Sequence, residues 1–366
     1  MKINHFMPTR IHFGRGAVAD NSASLRLGKR AFIVSGRTSG RLSGALGAVA
    51  GALKSEGIAY NVFEGVGNNP DVEQCKALGS EARALGADFI IGIGGGSPLD
   101  AAKAIAVFAK NDISSERLFE YGYDNGVLPI AAVPTTSGTG SEVTPYSVLT
   151  WHKIQTKRSF GGPLTFPKVA FLDPAFTDNL PLDITRDTGM DAFQHCFESV
   201  ISIKSNVYTD AQNLYAIRRF AAIMPQLESG DLSPAARDEL MLISMIGGIT
   251  ISQTGTTMMH ALGYPFTYFH DVPHGRANAM VMPIYIKEIA AHRAPRLRLA
   301  LDALGMSGLK LIDYAERNFP ISVERPDDDT LMFWAEQVVR NPTVANTGVP
   351  GDAEYILGLY KELFGG

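Results

Sequence analysis

The chain has 366 residues, of which 45% are hydrophobic and 19% are charged, and its formal net charge at pH 7 is −4. This length and composition are typical of a well-packed globular protein with two domains. Because the net charge is small and negative and no long Lys/Arg run occurs, nucleic acids and anionic membrane surfaces are excluded as partners, and small-molecule chemistry is expected.

The sequence carries no signal for export or membrane insertion. The amino terminus lacks a charged stretch followed by an apolar core, and other apolar runs are interrupted well short of about 18 residues. Only two cysteines, Cys75 and Cys196, are present, too few for a disulfide framework. We therefore expect a cytoplasmic protein with no membrane partner, in which Cys196 is a small packing residue.

The first half of the chain alternates β-rich runs with helical patterns. We predict strands at 30–35, 60–64, 88–93 and 128–133, and helices at 43–56, 72–85 and 98–108. Such alternation predicts a Rossmann-like α/β domain with a doubly wound parallel sheet, and ligands of such sheets bind beyond the carboxyl ends of the strands.

A glycine-rich loop, Gly94-Gly95-Gly96-Ser97, follows the third predicted strand, and Pro98 is placed to be the first residue of the next helix. Three glycines let the backbone approach a phosphate closely, and a helix amino terminus supplies donors. Because the loop lacks the GxGxxG pattern, a purely steric turn remains an alternative. A second loop at 134–142, rich in Thr, Ser and Gly, follows the next strand and offers hydroxyls to the same crevice.

The second half contains four potential metal ligands in a fixed order. Asp191 and His195 are four residues apart in a segment with helical periodicity, so both side chains are expected on one helix face, where they can share an ion. His260 follows a long apolar segment, and His274 lies in a turn expected to open a helix at 277–289. A lone histidine is more often structural, but three imidazoles and one carboxylate suit Fe(II) or Zn(II).

Six motifs together resemble those of a known family in order and spacing, and they are GGGSPLDAAK, VPTTSGTGSEVT, FLDP, GMDAFQH, HALG and PHG. By these motifs the chain resembles the iron-containing (group III, metal-dependent) alcohol dehydrogenases over nearly its whole length. The resemblance implies a dinucleotide-binding α/β domain at 1–180 and an all-helical metal-binding domain at 181–366, an architecture of the dehydroquinate synthase type. It also implies a homodimer.

The resemblance further implies hydride transfer between nicotinamide C4 and a small alcohol or aldehyde, assisted by one metal ion. Asp191, His195, His260 and His274 match the positions that hold this ion, which is Fe(II), with Zn(II) and Mn(II) as alternatives. The residues expected at the cofactor are Asn69, on the adenosine side, Gly94, Gly95, Gly96, Ser97, Asp100, Thr135, Thr136, Thr139 and Lys157.

One departure from the family pattern concerns the cofactor. NAD-preferring members carry an acidic residue after the first strand, where this chain has Gly36 followed by Arg37. The missing carboxylate removes a repulsion on the 2′-phosphate, and the guanidinium adds an attraction. We therefore expect a preference for NADP(H) over NAD(H), with aldehyde reduction as the working direction.

A second departure concerns proton transfer. Tyr264 stands where many members carry a histidine thought to relay a proton, and tyrosine is a weaker shuttle near neutral pH. His270 is a candidate replacement, whereas an aromatic wall formed by Tyr264, Phe266, Tyr268 and Phe269 is the alternative. An aromatic, mostly apolar pocket would suit a small alcohol or aldehyde.

Two other functions remain open at this point. A dehydroquinate synthase-like or glycerol dehydrogenase-like enzyme acting on a polyol or sugar phosphate would need a phosphate-binding basic cluster, and the scattered candidates are Lys204, Arg218, Arg219 and Arg276. A non-catalytic nucleotide or metal sensor would be expected to have a broken ligand set, whereas all four ligand positions are filled here.

Overall fold

A computed structural model describes residues 3–120 and 122–365, which form two compact units. The α/β unit comprises Phe6–Thr185 and Leu232–Met241, and the helical unit comprises Met1–His5, Arg186–Asp231 and Leu242–Gly366. Residues 1, 2, 121 and 366 lie outside the described residues. The first residue of the predicted α/β domain and the last residue of the predicted helical domain are among them. The division predicted after residue 180 stays a prediction.

Eight strands occur in the described residues, all of them in the α/β unit: β1 (Arg10–Phe13), β2 (Arg30–Gly36), β3 (Ala59–Val66), β4 (Phe89–Gly94), β5 (Ile130–Pro134), β6 (Ser147–Trp151), β7 (Thr156–Phe160) and β8 (Val169–Leu172). Six of them form one sheet in the order β1-β8-β5-β4-β2-β3, and every neighbouring pair is parallel. The other two, β6 and β7, form an antiparallel hairpin.

The α-helices are α1 (Ala17–Asp20), α2 (Ser39–Leu42), α3 (Ala45–Ser55), α4 (Val72–Ala84), α5 (Gly96–Lys110), α6 (Leu182–Ile201), α7 (Val207–Ser229), α8 (Pro234–Thr254), α9 (Met258–His270), α10 (His274–His292), α11 (Ala294–Leu304), α12 (Gly308–Asn318), α13 (Asp328–Val339) and α14 (Ala353–Leu363). Short 3-10 turns occupy Ser22–Leu25, Arg117–Phe119, Ser141–Val143, His152–Ile154, Pro163–Thr165, Pro174–Thr177 and Val344–Thr347.

The sheet is buried on both faces, which explains its continuous apolar strands. Along β2, Phe32 and Val34 belong to the core beneath α4 and α5, while Ala31 and Ile33 belong to the core beneath α3. Strands covered on both faces show apolar runs instead of an alternating pattern. The predicted doubly wound parallel sheet is therefore confirmed, with the four predicted strands and three predicted helices each present.

Two strands at one edge of this sheet, β1 and β8, were not predicted from the sequence. Arg10 of β1 lies beside Val169 of β8 in the parallel register. Both strands have only four residues, and β1 contains two basic side chains, Arg10 and His12. Neither segment is therefore long or regular enough to be predicted as a strand from its own sequence. Their pairing joins distant parts of the chain, which local periodicity does not report.

From Leu182 onward the described residues form helices and turns and contain no strand, as predicted. The helix expected at 277–289 begins earlier, at His274, so this histidine is the first residue of α10 and does not lie in a preceding turn. Among the described residues, no helix is both long enough and apolar enough to cross a membrane.

The contact between α4 and α5 supplies a test of this packing. A methyl group at Gly79 would overlap Cβ of Phe108 and lie 3.0 Å from its carbonyl carbon. We expect Gly79→Ala to lower the free energy of unfolding by about 1–3 kcal/mol, because overpacking forces the two helices apart. Urea denaturation measures this change.

Gly51→Ala is the matched control, because Gly51 lies on α3 with no atom within 4 Å of an added methyl. It should raise the free energy of unfolding by about 0.5–1 kcal/mol through helix propensity. Equal effects of the two substitutions would contradict the close packing of α4 on α5.

Candidate functional site

The helical unit brings three of the predicted ligands together in its interior. Asp191 and His195 project from α6, with 4.0 Å between Asp191 Oδ1 and His195 Nε2. His260, the third residue of α9, places its Nε2 3.0 Å from His195 Nε2 and 3.6 Å from Asp191 Oδ1. All three side chains are buried, and their candidate ligand atoms lie within 4.8 Å of one another.

The fourth predicted ligand, His274, approaches from α10. Its Nε2 lies 3.8 Å from Asp191 Oδ1, and its ring centre is 5.1 Å from that of His260. The His274 side chain is 27% exposed, whereas that of Asp191 is only 3% exposed. Within the helical unit, access to the cluster is therefore on the His274 side.

This arrangement fits a first-row divalent ion. Asp191 Oδ1 has three imidazole Nε2 atoms within 4.0 Å. Four donors at about 2.1 Å from a tetrahedral ion would be about 3.4 Å apart, close to the separations found here. Imidazole and carboxylate together suit Fe(II), Zn(II) and Mn(II), so the donor set alone does not select among them.

The charges around the cluster favour a cation. Burial raises the pKa of the Asp191 carboxyl, but His195, His274 and His260 outweigh burial and hold that pKa well below its usual value. Burial lowers the pKa of His260, but the Glu198 and Asp191 carboxylates outweigh burial and raise it to about 10. Two buried carboxylates therefore attract positive charge, either a proton or a metal ion, to this imidazole.

Close helix packing places His274 beside Asp191. A Cβ at Gly275 would overlap the carbonyl oxygen of Asp187 and lie 2.9 Å from Cβ of Asp191. Any larger residue at position 275 would push the start of α10 away from α6. The glycine of the PHG motif is thus needed for contact between the two helices.

Two residues that support the ligand cluster, Glu198 and Asn278, were not predicted from the sequence. Glu198 is fully buried, and its Oε2 contacts Nδ1 of His260. The amide nitrogen of Asn278 lies 3.5 Å from Asp191 Oδ1 and 3.4 Å from His274 Nε2. Helical spacing could have indicated both, because Glu198 follows His195 by three residues and Asn278 follows His274 by four.

The structure separates the two proton-relay candidates. The ring of Tyr264 lies 6.0 Å from the ring of His274, beside the cluster. His270 is the exposed last residue of α9, with its ring 5.7 Å from Trp334. Ten residues separate it from His260, about 15 Å along a helix. A role for His270 in proton transfer stays a prediction, and the contact found for its ring is with Trp334.

The predicted aromatic wall is also divided. Phe266 packs on Trp334 with a ring distance of 5.2 Å, and Phe269 stacks on the same indole at 6.1 Å. Tyr268 in turn packs on Phe269 at 4.7 Å. Of the four aromatic residues, Tyr264 is the one beside His274, and Phe266, Tyr268 and Phe269 form a group centred on Trp334.

The α/β unit places the predicted phosphate loop at the carboxyl end of β4. Gly94 ends β4 with a positive φ of 145°, and α5 begins at Gly96. Gly95, Gly96 and Ser97 are partly exposed, so their backbone is accessible. Pro98 is the third residue of α5 and not the first; the position is still tolerated because amides of the first turn have no intrahelical acceptor.

The second loop packs directly on the glycines. Thr135 N donates to Gly94 O at 2.9 Å. A Cβ at Gly95 would lie 3.2 Å from Thr136 Oγ1, and one at Gly96 would lie 2.6 Å from Thr139 Cγ2. Among the described residues, the buried hydroxyl of Thr135 has no hydrogen-bond partner. The backbone of the glycine loop is free of side chains and lies beside a hydroxyl without a hydrogen-bond partner, so the loop could bind the phosphate of a cofactor.

Asp100 supports this loop from within the protein. Its Oδ1 accepts a hydrogen bond from the Ser141 hydroxyl at 2.6 Å, and its Oδ2 accepts one from Val148 N at 2.8 Å. The fully buried ammonium of Lys103 lies 3.7 Å from Asp100 and donates to Ser141 at 2.7 Å. Both oxygens of Asp100 thus bind protein groups that support the loop, and its predicted contact with the cofactor stays a prediction.

The two outlying cofactor candidates meet each other. Lys157 Nζ, on β7, donates to Asn69 Oδ1 at 3.0 Å. Asn69 has a left-handed φ of 57°, a conformation that Asn tolerates better than most residues. The pair lies in the loop after β3 and on the hairpin, both in the α/β unit.

The residues behind the predicted cofactor preference adjoin the same loop. Gly36 ends β2, and a Cβ there would lie 2.6 Å from Ser39 Oγ and 3.5 Å from Pro98 Cγ. Arg37 is exposed, and its Nη2 lies 3.9 Å from the position of a Cβ on Gly67. In the described part of the chain Arg37 forms no ion pair with a carboxylate, so its guanidinium is available near Gly36.

The chain is similar to known proteins over most of its length. Residues 8–174 match the family model described as iron-containing alcohol dehydrogenase, and residues 185–318 match that of the Fe-containing alcohol dehydrogenase family, C-terminal. Sulfoacetaldehyde reductase of Bilophila wadsworthia is 33% identical over 289 residues, 78% of this chain and 74% of that protein. NADPH-dependent butanol dehydrogenase of Clostridium saccharobutylicum is 30% identical over 317 residues, 84% and 80% of the two chains.

Solved structures show the same likeness. The crystal structure of an iron-containing alcohol dehydrogenase from Thermotoga maritima superposes with a TM-score of 0.92 at 33% identity, covering 99% of each chain.

The ligand cluster can be tested by direct metal analysis. Loss of a residue that only supports a metal ligand lowers metal affinity by about 10–100-fold. We expect Asp191→Ala and His195→Ala each to lower Zn²⁺ affinity by more than this, because each removes a ligand. Metal content after loading and dialysis, measured by mass spectrometry, gives the result. His270→Ala is the control and should retain the ion; loss of metal from this variant as well would contradict the assignment.

Proposed function

Because this chain belongs to the iron-containing alcohol dehydrogenase family, we propose that it interconverts a small alcohol and its aldehyde with NADP(H) as the cofactor. The reaction would also use a divalent ion, Fe(II), held by Asp191, His195, His260 and His274. The observation that carries this proposal is the buried Asp191 carboxylate with three imidazole Nε2 atoms within 4.0 Å.

When bound, the ion would polarise the substrate oxygen as a Lewis acid, and the nicotinamide would carry the hydride. The four side chains that would contact the ion carry a single negative charge, so they would neutralise a divalent ion only in part and leave it able to polarise the substrate oxygen. Asp191 supplies the negative charge, and Asn278 donates toward it at 3.5 Å. Burial of the donors lowers the effective dielectric and strengthens these interactions.

Tyr264 is the residue best placed to assist proton transfer. Its ring is partly buried and lies beside His274, the more exposed of the proposed ligands. A phenol can donate a hydrogen bond to a substrate oxygen, although its ordinary pKa makes it a poor shuttle near neutral pH. We therefore give Tyr264 a role in orienting the substrate.

NADP(H) is proposed as the preferred cofactor because Gly36 brings no carboxylate to the end of β2 and the neighbouring Arg37 is exposed. The butanol dehydrogenase relative is NADPH-dependent, which agrees with this choice. With NADPH as the donor, aldehyde reduction is the proposed direction.

The substrate class is proposed as a short aldehyde or alcohol. The relatives carry the names of a sulfoacetaldehyde reductase and a butanol dehydrogenase, which both act on small carbon chains. A cytoplasmic location is proposed because both cysteines are buried free thiols. A homodimer is proposed on the family resemblance.

The structure gives no support to an enzyme for a sugar phosphate. Lys204, Arg218 and Arg219 are exposed, and Arg276 is paired with Asp187 at 3.0 Å. Basic residues that are exposed on the surface or paired with a carboxylate do not form a phosphate-binding pocket.

The proposed reaction predicts a strict metal requirement. Treatment with a chelator should abolish aldehyde-dependent oxidation of NADPH, followed by absorbance at the nicotinamide band, and Fe(II) should restore it. The reason is that the described cluster offers no side-chain nucleophile, so carbonyl polarisation depends on the ion. Full activity of a demonstrably metal-free sample would refute the proposal.

Cofactor preference supplies a second test. We expect Arg37→Ala to lower kcat/KM for NADPH by about 10–100-fold, the loss of a charged hydrogen bond of about 1.5–3 kcal/mol, and to leave kcat/KM for NADH nearly unchanged. Arg41→Ala is the matched control, because that guanidinium is paired with Glu64 at 2.6 Å. If the unmodified enzyme favours NADH by a large factor, the preference is wrong.

A further inference from the structure

A fully buried carboxylate lies behind His260, on the side away from Asp191. Glu198 is 0% exposed and sits on α6, one turn after His195. An ionised carboxylate in the interior is costly unless donors surround it. The identity of these donors indicates what the residue is for.

The donors come from the first turn of α9. Glu198 Oε1 accepts from Thr257 N at 3.0 Å and from His260 N at 3.4 Å, and it also accepts from the Thr257 hydroxyl. Thr257 is the N-cap residue of α9, and its own side chain makes no capping bond. Glu198 therefore takes over the capping role from a neighbouring helix, at the end where negative charge is favoured.

The second oxygen of the same carboxylate accepts from His260 Nδ1. With the proton on Nδ1 donated to Glu198, the lone pair of the neutral imidazole is on Nε2. Nε2 is the atom that lies 3.6 Å from Asp191 Oδ1 and 3.0 Å from His195 Nε2. One carboxylate thus sets the helix end, the ring orientation and the tautomer of His260.

The network is closed by a tyrosine. Tyr285 OH lies 2.7 Å from the Thr257 hydroxyl. Because the Thr257 hydrogen is directed to Glu198, Tyr285 must be the donor in this contact. Tyr285 and Thr257 are both 0% exposed, so water does not compete for these bonds. The orientation of Glu198 is therefore held from both sides.

We propose that Glu198 is a positioning residue that holds His260 in its metal-binding tautomer and orientation, so that affinity for the ion depends on a carboxylate that does not touch it. This inference rests on the proposed metal site. Outer partners of metal-bound histidines commonly change affinity by about 10–100-fold when removed.

The experiment measures metal binding instead of turnover. The Zn²⁺ dissociation constant is obtained by competition with a chromophoric chelator for the unmodified protein, Glu198→Gln and Glu198→Ala. We expect affinity to fall by about 10–100-fold, more for Ala than for the isosteric Gln. The visible absorption bands of the Co²⁺-loaded protein should change in both variants, because the ring of His260 is no longer held.

Ser199→Ala is the matched control. Ser199 is the next residue of α6, is equally buried, and accepts from Asn213 Nδ2 at 2.8 Å and from Thr254 Oγ1 at 3.0 Å. Its loss should lower the Tm of the metal-free protein, yet leave the Zn²⁺ dissociation constant and the Co²⁺ bands unchanged. This control separates general destabilisation from positioning of His260.

The possible results are distinct. Zn²⁺ binding by Glu198→Gln at the unmodified affinity, or equal weakening in Ser199→Ala, overturns the inference while the metal site stands. Failure of the unmodified protein to bind a divalent ion would instead overturn the proposed function. If Glu198→Ala does not fold, Glu198→Gln decides the question, since it keeps the size of the side chain.

Discussion

The helical unit is organised around negative charge that has been removed from water. Asp191 and Glu198 are both buried on α6, and neither carboxylate is stable there without donors or cations supplied by other helices. α9 supplies His260, which lies between the two carboxylates, with Nε2 toward Asp191 and Nδ1 toward Glu198. α10 adds His274. The requirement to satisfy these charges therefore decides which ends of α9 and α10 must meet α6.

The α/β unit meets a different requirement, which is access to backbone. There is no room for a side chain at positions 95 and 96, because Thr136 packs on Gly95 and Thr139 packs on Gly96. Polar residues behind the loop keep it in place, and the buried Lys103 donates to Ser141 and to the Tyr146 carbonyl. A phosphate recognised by amides needs a rigid loop with no protruding atoms, so its support lies beneath the loop and not at its surface.

Spacing predicted the site well only within single elements. Asp191 and His195 are one helical turn apart on α6, and the structure brings both to the cluster. His270 and His274 have the same spacing of four but do not share a helix. Asp271, with a φ of 52°, ends α9 between them, so the rule that relates residues i and i+4 does not apply. Sequence spacing therefore does not by itself bring His270 and His274 to one face.

Local periodicity and motifs of a few residues were enough to predict the fold class, the glycine loop, the order of the ligands and the family. The contacts between distant segments could be read only from the folded chain: β1 with β8, Glu198 with the start of α9, and Asp100 with Ser141 of the second loop. The difference comes from the separation along the chain over which each effect acts. Backbone geometry relates a residue to neighbours within about one turn, whereas contacts between distant segments are set by close packing and by the cost of leaving buried charge unpaired.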